Sequence, residues 1–256
     1  MALRFASLGS GSAGNCLAIS SGNTTVLLDC GFSGRETVTR LAKLGLEAGQ
    51  LSGILLTHEH DDHVGGAVRL ASRFQLPIFL THGTLQALGD IPDSVTLNII
   101  DSHSAFAIGD LEIQPYPVPH DAREPVQYVI GNGAQRLGVL TDAGASTPHI
   151  EVTLSFCDAL VLECNHDLDL LLNSSYPASL KQRISSRLGH LDNATSATLL
   201  SRTNTSKLQH IIAAHLSAQN NRPQLAQAAL SQVLGCEEQW IGIADQAEGF
   251  GWREIQ

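Results

Sequence analysis

The sequence predicts a mixed α/β fold. Short apolar runs of strand length recur along its 256 residues, many of them next to Gly, Asn or Pro. Segments with helical spacing of apolar residues fall between those runs. No repeat, low-complexity tract or linker divides the chain, so the expectation is one domain over 1–256, made of two α/β halves with no accessory domain.

The elements follow in order. Residues 3–8 form a strand, the loop Gly9-Ser10-Gly11-Ser12-Ala13-Gly14-Asn15 comes next, and 16–20 form a second strand. Gly22-Asn23 between β-like runs is a hairpin signal leading to a third strand, 25–30. Residues 31–46 carry Val38, Leu41 and Leu44 on one helical face. A strand is expected at 51–57, a helix at 65–74 and a strand at 77–81. Residues 96–119 read as short strands broken at Gly109-Asp110 and Pro115, and 128–140 as a hairpin around Gly131-Asn132-Gly133. A short helix at 148–155 and a strand at 159–164 follow. The polar stretch 167–205 is mostly helical with a turn at Gly189-His190. A strand at 208–214, a helix at 223–234 and a last strand at 240–244 complete the chain.

Hydrophobic content of 43% with 16% charged residues suits a globular protein with a sizeable core. Aromatics are few, so that core rests on Leu, Ile, Val and Ala. No apolar run reaches the roughly 18–20 residues that span a bilayer. Met1-Ala2-Leu3-Arg4-Phe5 lacks the basic and apolar regions of a signal peptide. No membrane association and a cytoplasmic location are the expectations. Cys16, Cys30, Cys157, Cys164 and Cys236 are odd in number and show no C-x-x-C spacing, which reads as free thiols in a reducing compartment. The net charge of −10 disfavours non-specific attraction to nucleic acid. Residues 181–222 depart from that balance. Lys181, Arg183, Arg187, Arg202, Lys207 and Arg222 face one acid, Asp192, which leaves the segment at +5. It reads either as a phosphate-tracking surface or as an ordinary solvated helix face.

The chemistry concentrates in Thr57-His58-Glu59-His60-Asp61-Asp62-His63, directly after the apolar Ile54-Leu55-Leu56. Imidazole nitrogen and carboxylate oxygen are the usual ligands of hydrolytic metal sites. In an extended segment His58 and His60 point the same way. Asp62 and His63 follow as the chain turns, so one ion can take the first pair and a second ion the next. His120, Asp142 and His215 each follow a strand-like stretch, where a short loop can turn them toward a common site. A lone histidine after a strand is more often structural. Together with the first cluster these residues make seven ligands, enough for two metals.

The pattern H-x-H-x-D-H, then a distant His, a distant Asp and a last His, resembles the metallo-β-lactamase superfamily along nearly the whole chain. The resemblance implies a four-layer αββα sandwich, two β-sheets face to face with helices outside. It implies two divalent ions, Zn²⁺ or Mn²⁺ with Fe as a further option. His58, His60 and His120 would hold one, Asp62, His63 and His215 the other, with Asp142 bridging. A hydroxide shared by the ions would be the nucleophile. Asp29, in Leu27-Leu28-Asp29-Cys30-Gly31, matches a carboxylate that braces the metal loop. Aspartate rather than cysteine at 142 points to the binuclear hydrolases, and histidine rather than glutamate at 60 disfavours redox iron chemistry.

Two further segments, Leu162-Glu163-Cys164-Asn165-His166-Asp167 and Leu188-Gly189-His190-Leu191-Asp192-Asn193, resemble the acid and its orienting carboxylate in transfer-RNA 3′-processing nucleases. They imply His190 as general acid or phosphate ligand and Glu163 as its orienter, acting beside Asp62. Together with the Gly/Ser-rich opening loop, these segments resemble most the YycJ/WalJ-like branch of double-stranded DNA 5′-to-3′ exonucleases. Ala13 and Asp192 stand where that branch has serine, and a carboxylate at 192 is expected to weaken binding along a phosphate path. The leading expectation is a metal-dependent phosphodiesterase acting on nucleic acid, DNA before RNA. A small-molecule hydrolase for cyclic phosphates, lactones or thioesters is the alternative, and a non-catalytic nucleic-acid-binding module the third.

Overall fold

The computed structural model describes residues Met1–Gln256. The first half runs β1 (Leu3–Gly9), β2 (Cys16–Ser21), β3 (Thr24–Leu28), α1 (Gly34–Lys43), β4 (Gly53–Leu55), α2 (Asp61–Val64), α3 (Ala67–Phe74), β5 (Ile78–Thr81), α4 (His82–Leu88) and β6 (Leu97–Ile100). The second runs β7 (Phe106–Ile108), β8 (Leu111–Pro117), β9 (Val126–Gly131), β10 (Arg136–Leu140), α5 (Pro148–Leu154), β11 (Ala159–Glu163), α6 (Leu168–Asn173), α7 (Ala178–Ile184), α8 (Asn193–Arg202), β12 (His210–Ala214), α9 (Pro223–Leu234), β13 (Gly242–Ile243) and β14 (Phe250–Ile255).

Two seven-stranded sheets result, ordered β14-β1-β2-β3-β4-β5-β6 and β13-β12-β11-β10-β9-β8-β7. Each is antiparallel on one side and parallel on the other, the change falling at β3 and at β10. Period-two alternation divides the apolar residues among three cores. Val26 and Leu28 of β3 and Val161 of β11 pack between the sheets. Leu27 faces the opposite way, with Leu41 of α1 and Leu70 of α3. Leu160 and Leu162 face Ile150 of α5, Leu199 of α8 and Leu230 of α9. Three apolar interfaces separate four layers, so the αββα sandwich is the fold. No helix is long and apolar enough to cross a membrane, and all five cysteines are free thiols.

Two elements differ from expectation. The strand expected last shrinks to Gly242–Ile243, and the final strand is β14, which pairs antiparallel with β1 and covers that sheet edge. Its Phe-Gly-Trp-Arg-Glu-Ile sequence is half exposed, so the apolar alternation that betrays an inner strand is weak. Helix α4 was also not expected. Its start is set by Thr81, whose side chain accepts from the Thr84 N–H, a short cap without a long apolar face behind it.

The sheets are stitched together where β4 ends. The Tyr128 hydroxyl, fully buried, donates to the Leu56 carbonyl at 2.8 Å, and the Val126 N–H donates to the Thr57 carbonyl at 3.0 Å. These bonds fix the start of the histidine loop on the floor between the sheets.

Candidate metal centre

Every candidate side chain leaves its element at the same end of the sandwich. His58 and His60 follow β4, and Asp62 and His63 lie on α2. His120 follows β8, Asp142 follows β10, Glu163 ends β11 and His215 follows β12. His190 sits in the turn between α7 and α8. Asp29, Asp142 and His215 all take the left-handed backbone region, with φ of 59°, 53° and 56°. Such a conformation costs a non-glycine residue of order 1–3 kcal/mol. Three of them gather here because each chain must turn sharply on leaving its strand. Gly31 and Gly144 admit close packing of the loops. A Cβ at 31 would run into the Asp62 carbonyl, and one at 144 into the backbone of Arg187 and Gly189.

The imidazoles share one orientation rule. His63 Nδ1–H donates to Asp29 Oδ2 at 2.7 Å, and His120 Nδ1–H donates to the Gly189 carbonyl at 3.0 Å. His215 Nδ1 reaches Glu163 Oε1 at 3.1 Å. Thr57 Oγ1 donates to Asp29 and so accepts from His58 Nδ1 at 2.9 Å. Outer partners thus fix four rings so that Nε2 faces inward as a lone-pair donor. Facing atoms then crowd one another. His63 Nε2 lies 2.7 Å from Asp142 Oδ2, and His215 Nε2 lies 3.4 Å from Asp62 Oδ2. Asp142 Oδ2 and His215 Nε2 are buried and have no hydrogen-bond partner. Converging buried acceptors of this kind fit a cation between them.

Ligand atoms lie within 4.8 Å of one another in four groups able to hold an ion. They are His58-His60-His120, Asp62-His63-His215, His58-His63-Asp142 and Asp142-Glu163-His190-His215. The first two are the expected sets, and Asp142 belongs to both remaining groups. All seven residues singled out in the sequence therefore converge, as do Glu163 and His190.

Charge in the metal-free protein divides along the same lines. Burial, and then His63, keeps His58 well below the usual imidazole range, and burial lowers His120. Burial also opposes charge on His190 and His215. The carboxylates outweigh it: Asp142 and Glu163 push His190 up to about 10, and Asp142, Asp62 and Glu163 push His215 up to about 9. Burial would raise Glu163, but His190 chiefly holds it down to about 2. Burial opposes ionisation of Asp62 as well, and His215 and His63 keep it well below the carboxylate range. Cationic histidines thus balance three carboxylates, a balance that bound divalent ions would replace.

The model of the beta-lactamase superfamily domain matches residues 24–215. The chain belongs to that superfamily. The chain is 36% identical to exodeoxyribonuclease YycJ of Bacillus anthracis, over 97% of this chain and 94% of that protein. It is 32% identical to exodeoxyribonuclease WalJ of Streptococcus pneumoniae serotype 2, over 94% and 91%. Among solved structures it is similar to the metallo-beta-lactamase fold protein YhfI of Bacillus subtilis, with a TM-score of 0.76, 16% identity and coverage of 99% and 100%. Zn²⁺-bound PqqB of Methylobacterium extorquens gives 0.75, 17%, 98% and 99%. The family is one of metal-dependent hydrolases, and this member is an enzyme of that kind with His and Asp clusters suited to divalent ions.

Several residues stand otherwise than expected. Asp192 has partners on its own helix. Its carboxylate caps α8, accepting from the Ala194 and Thr195 N–H groups at 2.9 Å each and from the Thr195 hydroxyl at 2.6 Å. Ala13 is exposed and touches no ligand; its N–H donates to Gln246 Oε1. The opening loop serves the ligand loops instead. Ser10 Oγ accepts from the His215 N–H at 2.9 Å, and the Asn15 N–H donates to the Asp62 carbonyl at 2.7 Å. The basic residues of 181–222 do not share one face. Arg202 pairs with Glu151 at 3.4 Å, and Lys207 lines a separate hollow with Glu112 and Arg136. Sequence reasoning also gave no role to Thr57, which stands between Asp29 and His58, because a threonine before a histidine carries no signal of its own.

Proposed function

We propose that the enzyme is a binuclear phosphodiesterase that degrades DNA from the 5′ end. His58, His60 and His120 would hold one divalent ion and Asp62, His63 and His215 a second, with Asp142 between them. Bound ions of this kind supply Lewis acidity toward a phosphoryl oxygen and make water acidic enough to attack near neutral pH. The chain's own residues supply the rest. When water attacks phosphorus, the bond to the 3′ oxygen breaks and that oxygen must take up a proton. His190 is suited to give it. Its Nδ1 lies 2.9 Å from Glu163 Oε1 and 3.1 Å from Asp142 Oδ1, which leaves Nε2 as the second nitrogen of a ring 19% exposed. Glu163 is fixed in turn: its Oε2 accepts from the Ala143 and Leu191 N–H groups at 2.9 and 3.2 Å. The Glu163 carboxylate beside Nδ1 favours the protonated ring, which suits His190 to give up a proton.

The observation that carries the reading is this buried Glu163–His190 pair abutting Asp142. Bond cleavage with a poor alkoxide leaving group needs such an acid. The near full-length likeness to proteins named exodeoxyribonucleases supports DNA as substrate, and the five free thiols suit a cytoplasmic setting. The test is duplex DNA labelled at either 5′ or 3′ end, incubated with protein loaded with Mn²⁺ or Zn²⁺. Early release of 5′-labelled mononucleotide supports the reading. Hydrolysis of lactones, thioesters or cyclic phosphates with DNA left intact would overturn it in favour of a small-molecule hydrolase.

A further inference from the structure

The geometry points to Arg183 as the anchor for a backbone phosphate of the nucleic acid next to the one being cleaved, an inference that rests on the phosphodiesterase reading. Arg183 lies on α7, and its Nε donates to Asp121 Oδ2 at 2.6 Å. The other oxygen of Asp121 lies 3.5 Å from His120 Nε2, the nitrogen facing the metal cluster, which is itself 3.3 Å from His60 Nδ1. One carboxylate therefore joins the guanidinium to the ligand cluster. Nη1 and Nη2 make no hydrogen bond within the protein, and the side chain is 55% exposed. An Arg pinned through Nε presents two parallel N–H donors at its free edge, the geometry that grips a phosphate bidentately.

The backbone around Arg183 is as fixed as its side chain. The His190 N–H donates to the Ile184 carbonyl at 2.9 Å, and the Asp121 N–H to the Leu188 carbonyl at 3.0 Å. His120 Nδ1 binds the Gly189 carbonyl. Residues 183–190 are thus hooked to the 120–121 loop, which carries the candidate ligand His120. Charge argues the same way. A protein of net charge −10 needs a local cation to receive a polyanion. Among the basic residues of 181–222, Arg183 alone forms a salt bridge with a side chain next to a candidate ligand. Lys181 donates to the Leu172 carbonyl, Arg222 to the Asn221 carbonyl, and Arg202 pairs with Glu151 at the far end of α8. Asp121 offsets part of the guanidinium charge, so what the pair supplies is orientation: Nε is held and the Nη1/Nη2 edge is left free to bond a phosphate.

The test measures binding and turnover separately on metal-loaded protein. Binding is read by fluorescence anisotropy with a phosphorothioate duplex oligonucleotide that resists cleavage, over a range of salt. Arg183→Ala should raise the dissociation constant about tenfold, the loss of one charge-assisted contact. It should also reduce the slope of log affinity against log salt by about one unit. Arg183→Lys should keep the slope and recover part of the affinity. Arg202→Ala should change neither. Melting temperature and metal content of each variant report on folding. If Arg183→Ala lowers turnover but leaves the dissociation constant and salt slope at wild-type values, Arg183 is a brace for the His190 segment and the inference is overturned. If affinity depends on Arg183 while the wild type cleaves no phosphodiester, the anchor stands and the proposed reaction falls.

Discussion

The Asp29 carboxylate lies 2.7 Å from His63 Nδ1, and both groups are buried. Asp29 also accepts from the Thr57 N–H at 2.9 Å and from the Thr57 hydroxyl, which sets His58. One carboxylate outside the ligand set therefore orients a histidine from each expected metal position. It fixes which nitrogen of each ring carries the proton.

Asp29→Asn should weaken binding at both positions while the fold survives. The amide keeps the size of the side chain but loses its charge and places N–H groups where acceptors are needed. Loss of such an outer partner typically costs about 10–100-fold in metal affinity. Competition with a chelator, with circular dichroism as the control for folding, measures this. Wild-type affinity in the variant would reduce Asp29 to a packing residue.

Protein purified without chelator should hold more than one equivalent of divalent metal. His60→Ala and Asp62→Ala should each lose about one equivalent, since each removes a ligand from a different set. Asp62→Ala should abolish hydrolysis with the fold intact. A variant that loses its ligand yet keeps wild-type metal content and turnover would contradict two separate positions.

The metal-free protein should lose stability as pH rises from about 7 to 10. His190 and His215 sit at about 10 and about 9 in the folded chain, against about 6.5 in an unfolded one. Between those values the folded state binds more protons. Their contribution is complete below about 6.5 and disappears as pH passes through 9 and then 10. Glu163, lowered to about 2, acts in the opposite range: its contribution is lost as pH falls below about 4.5 toward 2. Metal loading should offset the alkaline trend, because an ion held by His215 must displace the proton from that ring and its stabilising effect grows with pH. Melting curves with and without chelator at several pH values test this. A flat alkaline limb for the chelated protein would refute the assigned charges.

The candidate ligands were legible in the sequence because the cluster is nearly local at one end. Four candidates fall within His58–His63, and each distant one follows a strand that exits at the same edge. The inner strands were legible for a related reason: β3 and β11 are buried on both faces, so the apolar run is nearly continuous. Strand β14 was not, since an edge strand exposes half its side chains. The true place of Asp192 was hidden too. Its carboxylate serves either a phosphate path or a helix cap depending on which way α8 begins, and only the fold decides that. Arg183 was one of six cations in a segment. Its distinction comes from Asp121, some sixty residues earlier in sequence, and no local pattern links the two.

His190→Ala should lower turnover on DNA by about 10²–10⁴-fold while metal content stays normal. His190 is outside both expected metal sets, although its Nδ1 is 3.1 Å from Asp142. Its loss therefore leaves the ligands in place and removes a proton donor. The size of the effect should follow the leaving group. A deoxyribose 3′ oxygen is a poor leaving group and needs a proton; p-nitrophenolate is a good one and needs little help. On a p-nitrophenyl phosphodiester the loss should shrink markedly. Glu163→Gln should show the same leaving-group dependence in weaker form, because the amide still contacts His190 but no longer holds its proton by charge. An equal loss on both substrates would mean that His190 grips phosphate. Equal rates for wild type and His190→Ala on duplex DNA would mean that the ring only fills the turn, and would shift weight to a small-molecule substrate.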